Sequence, residues 1–433
     1  MYQPSHPAPI QTNDSDFSGD SDSSSYFEDN GTPTPASYQD NSYRNSQLYE
    51  KLLFGSHFME AGRKYRGIRK QIRRSPSRKK RSPKKRTRKK RTQKKRSQKK
   101  QTSKKLIETF TSGEFSYMKD DYFMEIDEFF KRFKKLQCSP EDPIINNYST
   151  IVAVGDIHGD FKALLHILRK AKLINKYGEW TGGKTILVQV GDLLDGGGRN
   201  IKVTDRSKND SEWRILLFLQ DLRKKAKKKG GKVMILLGNH ELMNFQQNFN
   251  YTAAGNNKYF KFEGNSRHNL FARGGKIAKM IACMTNGIIQ IGEWVFCHAG
   301  VLPQTAEKIP SIKKLNQQIR EWIINPKATM KATFNDVVLG PDSIFWTRFF
   351  GQDNMSSTDC KALQKSLRIL TNHDGTQGGF IVGHTVKDNI SSNCNGQLWQ
   401  VDVGASDAFG PQRNRKKRTA ALLIQKGKAP IIL

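Results

Sequence analysis

The sequence predicts an α/β fold in which two packed, mixed β-sheets are flanked by helices. From residue 149 onward, short apolar runs alternate with amphipathic segments of helical spacing. The apolar runs lie at 149–155, 184–192 and 232–241, and the amphipathic segments lie at 160–173 and 211–229. This alternation is typical of parallel β-α-β units.

The second half of the chain has a pattern that indicates more antiparallel pairing. Gly292 and Glu293 join two short apolar runs, as the turn of a hairpin does. The expected strands lie at 287–292, 294–297, 379–384, 397–403 and 418–425, and the expected helices lie at 311–324 and 361–370.

Charge and composition divide the 433 residues into four segments. Residues 1–62 are acidic and Ser-rich and are expected to be disordered, because they bury too little apolar surface to offset their ordering entropy. Residues 63–105 form a low-complexity repeat with 25 Lys and Arg and no Asp or Glu. Residues 106–147 are expected to be a linker with an amphipathic helix, and residues 148–433 a folded domain. Most of the net charge of +34 therefore lies in the basic repeat.

The basic repeat at 63–105 has three interpretations. Its charge favours non-specific binding of nucleic acid or another polyanion, with affinity that falls as salt is added. A nuclear-import signal and a solubilising expansion without a partner are the alternatives. No aromatic residue follows Tyr65 within the repeat, which argues against base stacking.

The linker contains an amphipathic segment at 122–136. One face of this predicted helix carries the apolar residues Phe123, Ile126, Phe129, Phe130 and Phe133. Docking of this face against the folded domain is the simpler interpretation. A helix lying on a membrane surface is the alternative.

The chain has five scattered cysteines and no C-x-x-C motif. An odd, sparse set favours a reduced intracellular protein over a disulfide framework. No apolar run approaches the roughly 18 residues of a transmembrane segment. The first residues also lack the basic start and apolar stretch of a secretory signal. We therefore expect a cytoplasmic or nuclear protein that is not secreted.

Five strand-like runs end in Asp, Asn or His beside glycine. These ends are GDIHGD (155–160), GDLLDG (191–196), GNHE (238–241), CHAG (297–300) and GHT (383–385). Loops that follow strands are where α/β folds build their sites, because the strands aim the side chains. Together the five ends supply six candidate ligands, Asp156, His158, Asp192, Asn239, His298 and His384. Three oxygen and three imidazole ligands, with one carboxylate placed to bridge, suit two divalent ions such as Mn²⁺, Fe or Zn²⁺. Cys297, next to His298, is expected to be a core residue.

The ordered set GDIHG, GDLLD, GNHE, HAG and GH resembles the calcineurin-like metallophosphoesterases over about residues 148–405. GNHE is similar to the phosphoprotein phosphatase branch of that family. GNHELMNF and the later Trp346-Thr347-Arg348 are most similar to the Shewanella-like protein phosphatases. The resemblance implies an αββα sandwich and makes residues 148–433 the catalytic domain.

The resemblance also implies a role for each motif residue. Asp156 and His158 would bind the first metal, Asp192 would bridge both, and the second would be completed by Asn239, His298 and His384. His240 would protonate the leaving alkoxide, and Asp195 would orient the His240 imidazole. A hydroxide held by both ions would attack phosphorus directly, so that no covalent phosphoenzyme forms.

One position departs from the family pattern. The second family motif normally has an arginine that grips phosphate directly after its second aspartate, and this chain has Gly196 there. Arg199 is our candidate replacement, because the intervening glycines permit unusual backbone paths. Arg348 is the candidate for a second phosphate contact. The alternative is that Gly196 leaves the site weaker or altered in substrate range.

The function implied is a metal-dependent phosphoprotein phosphatase that hydrolyses phosphomonoesters. The motifs do not distinguish phosphoserine, phosphothreonine and phosphotyrosine. A phosphodiesterase or dinucleotide hydrolase with the same two-metal core is one alternative. Another is a polyanion-binding protein whose phosphatase domain is vestigial.

Overall fold

The computed structural model of this protein describes residues 138, 140–197, 199, 211–260, 266–371, 375, 377–410 and 418–433. The acidic segment, the basic repeat and the amphipathic segment at 122–136 lie outside the described residues. Within the described part of the chain, no helix is both long and apolar enough to span a bilayer.

The described strands form two six-stranded sheets. The first sheet has the order β12-β11-β2-β3-β4-β5 and the second the order β1-β6-β7-β8-β10-β9. In chain order the strands are β1 (Ile144–Ile145), β2 (Thr150–Val154), β3 (Ile186–Gln189), β4 (Lys232–Leu236), β5 (Thr285–Asn286), β6 (Ile288–Ile291), β7 (Trp294–Cys297), β8 (Gly379–Val382), β9 (Ser391–Asn393), β10 (Leu398–Gln400), β11 (Leu422–Gln425) and β12 (Ile431–Ile432).

Helices connect these strands and cover the sheets. They are α1 (Phe161–Lys170), α2 (Ser211–Lys228), α3 (Asn239–Phe245), α4 (Ala254–Tyr259), α5 (Arg267–Phe271), α6 (Lys276–Met284), α7 (Pro303–Ala306), α8 (Ile312–Ile324), α9 (Ala332–Phe334) and α10 (Ser357–Thr371). The helices expected at 160–173, 211–229, 311–324 and 361–370 correspond to α1, α2, α8 and α10.

The strands of the first half pair in parallel as expected, whereas the strands of the second half pair in both directions. The pairs β2-β3, β3-β4 and β4-β5 are parallel, and β11 joins β2 antiparallel. In the second sheet β6 and β7 form the antiparallel hairpin around Gly292 and Glu293, with Ile291 opposite Trp294. The pairs β7-β8 and β8-β10 are parallel, so the expectation of a mainly antiparallel second half is wrong there. For β7 and β8 the reason is that α7, α8, α9 and α10 provide the long crossover that parallel pairing needs. The chain between β8 and β10 instead passes through β9, which pairs antiparallel with β10.

The core has two layers, and β2 shows why. Its alternate residues Ile151 and Ala153 belong to an apolar cluster that also includes Phe296 and Ile381 of the other sheet. Val152 and Val154 belong to the larger cluster formed with the helices. Successive side chains of a strand point to opposite faces, so β2 is buried on both and reads as one continuous apolar run. The predicted arrangement of two mixed sheets flanked by helices is confirmed.

The second sheet begins before the predicted domain boundary at residue 148. β1 pairs in parallel with β6, with Ile144 opposite Gln290. The hydrogen bond from Gln290 N to Pro143 O is 2.8 Å long and extends this pairing. We therefore favour a domain boundary before residue 143.

Two disulfides contradict the expectation of reduced cysteines. Cys138 is bonded to Cys283, and Cys360 is bonded to Cys394. The first pair is separated by 145 residues, so its proximity is a product of the fold that no sequence spacing reveals. Disulfides persist in oxidising compartments, which weakens the expectation of an intracellular location. Cys297 is free and fully buried, as expected of a core residue, and burial raises the pKa of its thiol to about 12.

Candidate metal centre and active site

The ends of five strands meet in one buried cluster, as the motifs predict. The strands are β2, β3, β4, β7 and β8, and every predicted ligand is less than a tenth exposed, namely Asp156, His158, Asp192, Asn239, His298 and His384. Asp192 Oδ2 lies 3.6 Å from His158 Nε2 and 3.4 Å from His298 Nε2. Asn239 Oδ1 lies 2.9 Å from His298 Nε2 and 3.0 Å from His384 Nδ1.

Two overlapping groups in this cluster can each hold a metal ion, with ligand atoms within 4.8 Å of one another. The first group is His158, Asp192 and His240, and the second is Asp192, His298 and His384. Asp192 belongs to both groups, which is the geometry that a bridging carboxylate requires.

Asp156 was expected in the first group, where the geometry instead includes His240. Its Oδ2 lies 4.0 Å from His158 Nε2 and accepts a 3.1 Å hydrogen bond from His384 N. Its Oδ1 is buried and has no hydrogen-bond partner among the described residues. A buried carboxylate oxygen without a donor is costly unless a cation compensates it, so this oxygen and the neighbouring oxygen and nitrogen donors fit a divalent ion.

The ring nitrogens that face away from the cluster have backbone partners. His158 Nδ1 lies 3.2 Å from Leu194 O, and His298 Nδ1 lies 2.9 Å from Val190 O. His384 Nε2 lies 3.2 Å from Trp346 O. Such contacts fix ring orientation, and an N–H donated outward leaves the other nitrogen as a ligand.

Four of the site residues have a left-handed backbone. The φ angles are 41° at His158, 52° at Asp192, 70° at Asp195 and 65° at His384. Residues other than glycine rarely adopt this region, and each instance costs on the order of 1 kcal/mol. Strained residues of this kind concentrate at functional sites, where the surrounding structure holds them in place.

Glu241 provides much of that support. Its Oε1 accepts hydrogen bonds from Leu193 N and Leu194 N at 2.8 and 3.1 Å. Its Oε2 accepts from Gly238 N and Asp192 N at 2.7 and 3.0 Å. One buried side chain thus holds the loop after β3 against the start of α3. Burial raises the pKa of Glu241 to about 7, the Asp192 charge adds to this, and the Gly238 N–H opposes it.

Glu241→Gln is expected to lower the free energy of unfolding by about 3 kcal/mol. An amide has one acceptor oxygen, so its NH₂ group would face two of the four backbone N–H donors. Urea denaturation of the metal-free protein measures the change. Glu307→Gln is the matched control, since Glu307 forms an exposed ion pair with Lys365. Equal stability of the two variants would contradict the bracing role of Glu241.

His240 lies beside the ligand cluster and is paired with Asp195. His240 Nδ1 lies 2.9 Å from Asp195 Oδ2, and His240 Nε2 lies 3.9 Å from Asp192 Oδ2. His240 N donates to Asp192 Oδ1 at 3.0 Å. The carboxylate of Asp195 thus directs Nε2 toward the cluster, which is the arrangement of a general acid or base with an orienting partner.

Burial opposes the charge of Asp192, but the nearby histidines outweigh burial. The charges of His298 and His240 hold the pKa of Asp192 well below its usual range. Burial likewise opposes the protonation of His298, yet the charge of Asp192 and its hydrogen bond raise the pKa of His298. Desolvation and the charge of Arg199 lower the pKa of His158 well below its usual value.

Arg199, the candidate replacement for the missing arginine, lies beside His158 and His240. Its Nη2 lies 3.2 Å from His158 Nδ1 and 3.5 Å from His240 Nε2. Its Nη1 donates to Asp195 O and Gly197 O at 2.9 and 3.0 Å. The guanidinium carbon lies 4.7 Å from the ring centroid of Phe409.

Gly196 itself lies too close to the first motif for a side chain. A Cβ atom at this position would lie 2.8 Å from His158 O. An arginine at 196 would therefore require the loop after β3 to move away from His158.

Arg348 lies next to the last motif. Its Nη1 donates to His384 O at 3.3 Å and to Thr385 Oγ1 at 3.4 Å. Burial and then the charge of Arg348 lower the pKa of His384 well below its usual value. The structure thus brings both candidate phosphate-binding arginines to the edge of the cluster.

Sequence reasoning missed a ring of polar residues behind His240, all of them buried except Thr252, which is partly buried. Its members are Glu212, Asn244, Thr252 and Arg267, and all of them contact Asp195. Glu241 lies inside the GNHE motif, but its supporting contacts likewise became apparent only in the structure.

The Calcineurin-like phosphoesterase family model matches residues 149–388, which is more than half of the chain. This chain belongs to the calcineurin-like phosphoesterase family. Its members are metallophosphoesterases, which are hydrolases with a dinuclear metal centre, and the two groups that share Asp192 agree with such a centre. The predicted resemblance is confirmed.

Two relatives carry the name Shewanella-like protein phosphatase. The Arabidopsis thaliana protein, numbered 2, is 28% identical over 344 residues, which are 70% of this chain and 81% of the relative. The Plasmodium berghei protein, numbered 1, is 29% identical over 260 residues, which are 59% of this chain and 67% of the relative.

A solved cold-active protein tyrosine phosphatase has the same fold as this calcineurin-like phosphoesterase. The TM-score is 0.57 at 21% sequence identity, covering 68% of this chain and 79% of that one.

Proposed function

We propose that this calcineurin-like phosphoesterase is a metal-dependent phosphoprotein phosphatase that hydrolyses phosphomonoesters. The observation that carries the proposal is the buried Asp192, shared by two groups of metal-ligand geometry and adjacent to the His240–Asp195 pair. The names of the Arabidopsis and Plasmodium relatives support a protein substrate.

Asp156, rather than His240, is our proposed third ligand of the first metal. His240 Nδ1 is occupied by Asp195 at 2.9 Å, which suits proton transfer at Nε2, whereas Asp156 Oδ1 has no partner among the described residues. His158 and Asp192 would complete that site. The second metal would be held by Asp192 together with Asn239, His298 and His384.

The side chains around the centre would supply proton transfer and phosphate binding. When bound, two divalent ions of Mn, Fe or Zn would lower the pKa of an attacking water and offset charge on the phosphoryl oxygens. His240 would donate a proton from Nε2 to the departing alkoxide oxygen, and Asp195 would hold the imidazole in the orientation for that transfer. The glycine-rich loop would direct Arg199 at the phosphoryl group, with Arg348 as a second contact.

The basic repeat and the cellular location lie outside what the folded domain explains. We propose that residues 63–105 bind nucleic acid or another polyanion by counterion release. We also propose a cytoplasmic or nuclear location, although the two disulfides are typical of oxidising compartments.

A metal-reconstitution assay on the full chain tests the proposed function. We expect chelation to lower hydrolysis of p-nitrophenyl phosphate by at least about 100-fold, because charge on the phosphoryl oxygens would lose its compensation. Mn²⁺, Fe²⁺ or Zn²⁺ should restore turnover, and matched phosphoserine, phosphothreonine and phosphotyrosine peptides would establish the preference among residues.

The same assay also distinguishes the proposed phosphatase from the two alternative functions. Cleavage of bis-p-nitrophenyl phosphate or a dinucleoside polyphosphate, with phosphopeptides left intact, would replace the proposal with a phosphodiesterase or dinucleotide hydrolase. Absence of hydrolysis with every metal, alongside salt-sensitive binding of nucleic acid, would indicate a polyanion-binding protein with a vestigial domain.

A further inference from the structure

A buried arginine lies behind the His240–Asp195 pair. The side chain of Arg267, on α5, is only 1% exposed. Its guanidinium is surrounded by aromatic rings, with the Phe271 centroid 4.4 Å and the Phe260 centroid 5.4 Å from its central carbon. Burial of a cation in such surroundings is costly unless specific anions and acceptors compensate it.

Three compensating contacts join Arg267 to three separate elements. Nη1 donates to Glu212 Oε2 of α2 at 2.6 Å, and Nε donates to Asn244 Oδ1 of α3 at 2.9 Å. Nη2 donates to Asp195 Oδ1, in the loop after β3, at 3.4 Å. The planar fork of one guanidinium thus ties together the elements that surround Asp195.

Two other members of this ring, Asn244 and Glu212, reinforce the position of Asp195. Asn244 Nδ2 donates to Asp195 Oδ2 at 3.0 Å and to His240 O at 2.9 Å. Glu212 Oε1 accepts from Asp195 N at 2.9 Å. Asp195 is therefore held from its backbone and from both carboxylate oxygens.

We propose that Arg267 is a positioning residue that acts through Asp195 and Asn244 to hold His240 in the geometry for protonating the leaving group. The proposal rests on the proposed phosphatase function. Burial opposes ionisation of Asp195, but the hydrogen bond of His240 and the charges of His240 and Arg267 keep the pKa of Asp195 low, in agreement with a fixed carboxylate.

The dependence of rate on the leaving group distinguishes positioning from simple structural support. A serine or phenyl phosphoester needs protonation of its leaving oxygen, whereas p-nitrophenolate departs as a stable anion. Arg267→Met should lower kcat for a phosphoserine peptide and for phenyl phosphate by about tenfold or more, with little change in KM. The loss for p-nitrophenyl phosphate should be less than about twofold. Arg267→Lys retains the charge but loses the fork, so its selective loss should be smaller.

Arg273→Met is the matched control. Arg273 also packs on an aromatic ring, 4.8 Å from the Trp322 centroid, and it donates to Trp322 O and Asn325 O. It makes none of the contacts to the His240–Asp195 pair, so its loss should not change the ratio of rates between substrates. Thermal unfolding of the metal-free proteins measures the stability cost of both substitutions.

The outcomes separate the inference from the proposed function. If the wild type is active and Arg267→Met loses the same factor in kcat on every substrate, the positioning role is overturned. Unchanged rates in Arg267→Met would overturn it as well. A wild-type chain that hydrolyses no phosphomonoester would instead overturn the proposed function. If Arg267→Met does not fold, Glu212→Gln loosens the guanidinium while preserving shape, and it should produce the same selective loss to a smaller degree. An unselective effect of Glu212→Gln would overturn the inference as well.

Discussion

Replacing Asp192 with asparagine is expected to lower kcat/KM for p-nitrophenyl phosphate by about 10³-fold or more. The Oδ2 of Asp192 lies within 3.6 Å of His158 Nε2 and 3.4 Å of His298 Nε2, and no other side chain belongs to both metal-ligand groups in the described residues. An amide supplies one neutral oxygen where a carboxylate supplies two charged ones. Both sites should therefore lose affinity together.

Metal content distinguishes this loss from a folding defect. Purified Asp192→Asn should retain fewer bound ions per chain than the wild type after dialysis against Mn²⁺, as measured by mass spectrometry of the metals. Asp221→Asn is the control, because Asp221 forms a partly exposed ion pair with Lys225 on α2, outside both metal-ligand groups. Retention of two ions and of full turnover in Asp192→Asn would rule out a bridging role.

The ligand cluster could be predicted from the sequence because parallel strands align their carboxyl ends. Asp156, Asp192 and Asn239 follow β2, β3 and β4, which are neighbours in one sheet. His298 and His384 follow β7 and β8 of the facing sheet, whose parallel pairing brings them to the same edge. The position of each motif at the carboxyl end of a strand was therefore enough to predict that the motifs lie close together.

The helix that begins inside GNHE was missed for a physical reason. The apolar run suggested a strand to residue 241, but β4 ends at Leu236 and α3 begins at Asn239. Every residue of α3 is buried, including the polar Asn239, His240, Glu241 and Asn244. The helix therefore has no solvent-exposed face, and its sequence lacks the apolar periodicity that identifies a surface helix.

The ring behind His240 could not be predicted from any local pattern. Arg267 lies 72 residues from Asp195 in the chain, and it stands on a helix of five residues. No feature of the sequence distinguishes this buried arginine from the other arginines of the chain. The disulfides were missed for the same reason, since only the folded chain brings Cys138 next to Cys283.

In the proposed function Arg199 makes the phosphate contact of the missing family arginine, and the surroundings of Gly196 offer a structural reason for the change of position. Gly196 lies so near the first motif that a Cβ would come within 2.8 Å of His158 O. Gly197 N donates to Tyr251 O at 2.8 Å, and this hydrogen bond fixes the backbone of the residue that follows Gly196. From that path Arg199 returns to within 3.2 Å of His158 Nδ1.

Arg199→Met is accordingly expected to lower kcat/KM for phosphopeptides by about 100-fold, since a planar donor pair to the phosphoryl oxygens would be lost. Arg199→Lys keeps a point charge without the fork and should lose about tenfold. Inorganic phosphate, as a competitive inhibitor, reports binding directly, and its inhibition constant should rise in both variants. Arg273→Met provides the control for removal of a partly buried arginine elsewhere in the domain.

Adding Gly196→Arg to Arg199→Met tests whether position 196 can take over. We expect no recovery of turnover or phosphate affinity, because the new Cβ would collide with His158 O and displace a residue of the metal centre. Recovery would show that the loop can move and that Arg199 is one of two equivalent solutions. Full activity of Arg199→Met combined with a loss in Arg348→Met would assign the phosphate contact to Arg348, which lies 3.3 Å from His384 O at the edge of the same cluster.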